Sequence, residues 1–196
     1  MSHTQSYTCF NGHSRMVSGT LQTVAMAVKQ VLENEGQHSL LIFDDQSGRS
    51  IDINTQGSYD DVLARFASSA APVAKPEDAE PQPRGRGRPK LGVVPKEITL
   101  LPRHWDWLAT QPGGASVTLR KLVEQARREH NGQDLQRQAQ ERAYHFMAAM
   151  AGDLPLFEAA SRALFAQQPA QLSEAMQGWP SDIRHHVLYL ATPVAA

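Results

Sequence analysis

Residues Pro83-Arg84-Gly85-Arg86-Gly87-Arg88-Pro89-Lys90 place four cations along eight positions, separated by glycine and bounded by proline. Such a strip suits a narrow anionic groove. A·T-rich duplexes concentrate negative potential in the minor groove and accept extended arginines, glycine lets the backbone approach the groove floor, and proline keeps the chain extended as it leaves. The same composition would also serve as a solubilising spacer, or as an internal partner for the acidic run Glu77-Asp78-Ala79-Glu80 just before it.

Other chemistry-bearing residues are scattered. Asp44, Asp45 and Asp52 could gather at a hairpin end around a divalent cation, but paired aspartates in a tight turn more commonly bond their own backbone. His185 and His186 are adjacent, which sends them to different faces of a helix, and His145 has no acidic partner at ligand spacing. Cys9 is the only cysteine, so it forms no intrachain disulfide, and it reads as a small apolar core residue. No glycine-rich phosphate loop, nucleophile elbow or zinc-ligand helix is present. The expectation is therefore no catalytic residue, no metal site, no cofactor and no enzymatic activity.

The cationic strip resembles the AT-hook, a minor-groove element built on an Arg-Gly-Arg-Pro core. That resemblance implies that Arg86, Gly87 and Arg88 lie in the groove, that Pro89 follows them, and that Arg84 and Lys90 approach phosphates. The distribution of charge agrees. The formal net charge is -1, but residues 81–130 carry 10 Lys+Arg against 4 Asp+Glu, while residues 1–80 carry 5 against 10 and residues 131–196 carry 4 against 6. A basic middle between acidic flanks points to a polyanion partner for the middle alone.

The elements around these residues follow from periodicity. Tyr7–Asn11 and the run through Arg15-Met16-Val17 flank an Asn11-Gly12 turn and predict a hairpin. Leu21, Val24, Val28 and Leu32 predict a helix capped by Thr20 and stopped at Gly36; Leu40–Phe43 and Ser50–Asn54 predict a second hairpin; Ser58 caps a helix with Val62 and Phe66 on its face. Six prolines between Ser68 and Pro95 predict a disordered or extended tether. A strand over Lys96–Leu101, a helix from Pro102 to Thr110 and a second helix capped by Ser116 come next, the last with an apolar stripe of Leu119, Leu122, Val123 and Ala126. Helices over Gln133–Ala151, Leu154–Ala166, Ala170–Gln177 and Ser181–Ala191 complete the chain.

The fold class expected is α+β: a small ββαββα unit at residues 1–68, a basic Pro-rich linker at 69–94, a strand-helix-helix segment at 95–130 and a helical domain at 131–196.

The order strand, helix, helix over residues 96–129 resembles the ribbon-helix-helix module, in which two chains pair strands into an antiparallel ribbon that enters the major groove. The resemblance implies a homodimer through these residues, with Thr99 facing outward from the ribbon and Ser116 opening the second helix toward a phosphate. The segment departs from that family at Leu101, an apolar residue on the outward side where the family carries a polar base-reading one. A helical hairpin packed on the carboxy-terminal helices is the other reading.

As a whole the chain is similar to a family of uncharacterised bacterial proteins. The likeness is carried by Ile42-Phe43-Asp44-Asp45 with Gly48-Arg49, Arg86 through Val93, Leu101-Pro102-Arg103-His104-Trp105-Asp106-Trp107-Leu108 with Gly113 through Ser116, and Leu164-Phe165 with Gly178-Trp179-Pro180. It implies a shared arrangement and no particular activity. These readings together predict a DNA-associated protein, a transcriptional regulator or nucleoid-associated factor. The alternative is a protein-interaction adaptor in which the basic tract is only a spacer. The amino terminus lacks a basic start and an apolar core of the secretory kind, and no apolar run reaches membrane-spanning length, so a cytoplasmic protein without membrane association is expected.

Overall fold

The computed structural model describes residues 5–34, 39–67 and 94–193. The expected stop at Gly36 and the cationic strip Arg84–Lys90 lie outside the described residues. The fold is α+β. Strands β1 (Tyr7–Asn11), β2 (Ser14–Gly19), β3 (Leu40–Asp44) and β4 (Arg49–Ile51) and helices α1 (Leu21–Asn34) and α2 (Tyr59–Ala67) appear in the predicted ββαββα order. They are followed by helices α3 (Pro102–Ala109), α4 (Gly114–Met150), α5 (Phe157–Phe165), α6 (Pro169–Ala175) and α7 (Ser181–Ala191).

The two hairpins join through their inner members into one antiparallel sheet of order β2-β1-β3-β4, with Thr8 opposite Phe43 and Phe10 opposite Leu41. Alternation along β1 gives the sheet two buried faces. Tyr7 and Cys9, with Ile42 of β3, pack on Val24 and Val28 of α1. Phe10 and Phe43 join Ala143, Phe146 and Met147 of α4 and Ile183, Val187 and Leu190 of α7 in the larger core.

The rings of Phe10, Phe43, Phe146 and His186 meet edge-on or tilted, with centroids 4.6–6.1 Å apart. Residues 5–67 and 132–193 therefore form a single compact unit, although the sequence reading assigns 1–68 and 131–196 to separate domains. The reason is the second face of the sheet. Thr8 and Phe10 are as buried as Tyr7 and Cys9, and a hairpin pair with helices on one side only would leave Phe10 and Phe43 in water.

Local signals set the helix starts. Thr20 Oγ1 accepts the Thr23 amide at 3.2 Å, and Ser58 and Asp61 form a reciprocal cap: the Asp61 amide donates to Ser58 Oγ at 3.2 Å while the Ser58 amide donates to Asp61 Oδ2 at 2.8 Å. Helix α5 opens at Phe157, three residues after the expected start, behind Leu156 in the left-handed region. Buried Gln140 of α4 donates to the carbonyls of Leu164 and Phe165 at the end of α5, and Trp179 Nε1 donates to the Pro155 carbonyl at 2.7 Å. Trp179 is thus a structural residue, buried in the larger core. Asp182, in the first turn of α7, accepts the Arg15 amide of edge strand β2 at 2.9 Å.

Residues 94–131 belong to the second compact unit. Helix α4 is continuous through Asn131-Gly132, where the sequence reading ends one helix and starts another. An interior glycine costs only about 1 kcal/mol relative to alanine, less than breaking the hydrogen-bond ladder there. No helix among the described residues is long and apolar enough to cross a membrane.

Candidate nucleic-acid interface

Of the residues expected to touch DNA, Arg84, Arg86, Gly87, Arg88, Pro89 and Lys90 lie outside the described residues; Thr99 and Ser116 are described, and both are exposed. Thr99 belongs to a segment, residues 94–101, that forms no strand within the chain. This corrects the expected strand over 96–101: no other strand is present among the described residues of its unit to pair with it, and an isolated strand has no ladder to hold it. The Pro102 signal holds, since α3 begins there with Pro at its first position.

Ser116 is not a cap. Gly113 and Gly114 take φ values of 90° and 74°, and the helix opens at Gly114, two residues earlier than expected. Ser116 instead accepts a bond from Arg120 Nε at its carbonyl oxygen, at 3.1 Å, inside the first turns of α4.

The apolar residues of this unit are mostly uncovered. Leu108 is buried, and it is alone in this among the described residues of the unit. Leu101, Trp105 and Leu108 recur at the spacing of one helix face, yet Leu101 and Trp105 are exposed. Trp107 is exposed as well, so both tryptophans stand in solvent. On α4, Leu122 and Val123 of the predicted stripe are 43% and 64% exposed, well beyond what a core-facing stripe shows.

Cations accompany this surface. Glu124 takes both Arg127 and Arg128, at 3.2 and 3.1 Å, and these guanidiniums hold its carboxyl below the ordinary glutamate value. Arg103 and Lys121 have no ion-pair partner among the described residues.

The other chemistry-bearing residues are placed as follows. Asp44 Oδ1 accepts the Gln46 amide and its Oδ2 the Ser47 hydroxyl, both at 3.0 Å, the self-bonded turn that was the preferred reading. Asp45 is buried and accepts the Thr8 hydroxyl at 3.1 Å, while Ser18 lies 2.9 Å from the same hydroxyl and donates to it. His186 Nε2 stands 3.4 Å from Asp45 Oδ1, at ion-pair distance but out of hydrogen-bond alignment. Asp52 is exposed, and no three His, Cys, Asp or Glu residues cluster at metal-binding distance among the described residues. Cys9 is fully buried, which pushes its thiol up to about 11. Adjacent His185 and His186 divide as helix geometry requires, the first exposed and the second buried. Sequence spacing carries no signal for the Asp45–His186 or Arg49–His145 pairings, because each joins the sheet to a helix far along the chain.

No curated protein and no solved structure matches the chain. A family described as an uncharacterised protein conserved in bacteria, DUF2239, matches residues 6–191. The chain belongs to this family.

Proposed function

We propose that this is a DNA-associated protein in which residues 94–131 pair with the same residues of a second copy, and the cationic strip Arg84–Lys90 just before them contacts an A·T-rich minor groove. The observation that carries this reading is the uncovered apolar surface of the second unit. Val94, Ile98, Leu101, Trp105, Trp107, Leu122 and Val123 are each 42–72% exposed. Free side chains of this size present on the order of 150 Å² or more, so the uncovered area comes to roughly 600 Å² per chain, most of the ~800 Å² that each partner gives to a standard interface.

A second copy also answers the missing strand, because residues 96–101 of two chains would supply each other's hydrogen-bond ladder. Thr99 would then face outward from the ribbon, with Arg103 and Lys121 near phosphates. The strip and the paired unit act together: the first adds mostly electrostatic affinity and the second fixes position.

The test is sedimentation equilibrium of the full chain beside a Val123→Glu variant, a change at an exposed position, with duplex affinity measured on both. The wild type should be a dimer, and the variant should be largely monomeric and bind duplex about tenfold less tightly. A monomeric wild type, or a variant that dimerises equally well, contradicts the reading.

A further inference from the structure

The turn between β3 and β4 lies directly on α4. Gly48 has φ 66°, and a Cβ placed there would stand 1.8 Å from the Arg142 carbonyl oxygen. A cleft of about 310 Å³ is lined by Gln46, Ser47 and Arg49 from the turn side and Gln138, Glu141, Arg142 and His145 of the helix.

The polar groups in the cleft are held in place. His145 Nδ1 is 2.9 Å from the Ser47 carbonyl, which can only accept, so Nδ1 carries the proton and donates it. Nε2 is then the lone-pair nitrogen, and it accepts from Arg49 Nη2 at 3.1 Å. The imidazole thus fixes the Arg49 guanidinium while leaving its Nε and Nη1 uncommitted. Arg142 is anchored separately, donating from Nε to the Leu190 carbonyl at 2.6 Å and from Nη2 to the Thr192 carbonyl at 2.5 Å.

The Arg142 guanidinium is thus turned to the end of α7, and the guanidinium left to the cleft is that of Arg49, which has no carboxylate at ion-pair distance among the described residues. Glu141 lies 3.9 Å from Arg137. An anion in the cleft would take the open fork of Arg49.

We propose that this cleft binds a small organic acid through its carboxylate or phosphate group, with Arg49 as the main ligand and the Gln46 and Gln138 amides bonding the remainder of the molecule. The site lies wholly within the first unit and is independent of DNA contact. A cleft of this size is at the small end of ligand pockets, which suits a metabolite-sized acid.

The test is an NMR titration of the full chain with inorganic phosphate and, separately, succinate at constant ionic strength, following the His145 imidazole and the Arg49 Nε–H signals. Saturable shifts at these groups are expected from at least one probe. Saturation by phosphate alone assigns a phosphate-bearing ligand, by succinate alone a carboxylate, and by both the shared oxyanion chemistry. Arg49→Gln should weaken binding about tenfold, and Gln138→Glu, which adds a carboxylate from an exposed helix position, should do the same. Absence of saturable shifts with both probes, or wild-type affinity in either variant, overturns the proposal.

Discussion

Asp45 shows how much a single buried carboxylate organises here. It receives the Thr8 hydroxyl, which Ser18 in turn satisfies, and it faces His186 across the junction between the sheet and α7. Asp45→Ala leaves the Thr8 hydroxyl and the His186 ring without that partner and should lower stability by about 2–3 kcal/mol, measured by urea unfolding. The aspartate pair was legible in the sequence as a turn, and Asp44 makes that turn. That Asp45 points the other way, into the core, follows from strand alternation only once the strand's register and its second buried face are known. Cys9 was legible outright: it alternates with Thr8 and Phe10 in a short apolar strand. With its thiol raised to about 11 by burial, it should be inert to a thiol-specific reagent in the native protein at neutral pH and react on unfolding. Ready labelling of the folded chain would contradict the placement.

Several elements were readable because each carries its own boundary signal: Asn11-Gly12 for the first hairpin, Thr20 and Ser58 for the caps of α1 and α2, and Pro102 for α3 of the second unit. Ser58→Ala removes the hydroxyl's bonds to the Asp61 amide and carboxylate while leaving the backbone half of the α2 cap, and should cost about 1 kcal/mol. Ser58 hydrogen bonds hold the Asp61 carboxyl below its ordinary value. A folded-state value that is lowered adds stability above the unfolded value and loses it as pH falls through the folded one. The difference between wild type and Ser58→Ala in thermal unfolding should therefore narrow below about pH 4. Gly48 carried a visible turn signal, yet its second role, backbone contact with α4, was not legible, since nothing in sequence ties residue 48 to residue 142. Gly48→Ala meets both a left-handed φ and the Arg142 carbonyl; about 3 kcal/mol of destabilisation is expected, with broadening of the His145 and Arg49 signals. The break expected after residue 130 was misread because an asparagine-glycine pair is a turn signal between short elements, while inside a long helix its cost is small.

For the whole molecule, the chain does not divide where its composition does. The linker separates two stretches in sequence, but Phe10 and Phe43 on one side of it and Phe146 and His186 on the other share a core. Composition locates a boundary; it does not say which flanking pieces reunite beyond it. The second unit was legible as helical and basic. Its missing strand was not, because pairing is a property of two segments and the sequence of one shows only the propensity. The uncovered apolar surface there, together with the cationic strip that precedes it in the sequence, is the basis for the proposed DNA association. The central claim is tested most directly by fluorescence anisotropy of the full chain on an A·T-rich duplex across a salt series, beside a variant with Arg84, Arg86, Arg88 and Lys90 replaced by alanine. If the four cations each neutralise a phosphate, the variant should bind more weakly and the slope of log affinity against log salt should be shallower by about 3.6. Equal affinity and equal slope for the two proteins, or no duplex binding by the wild type at low salt, would contradict the account.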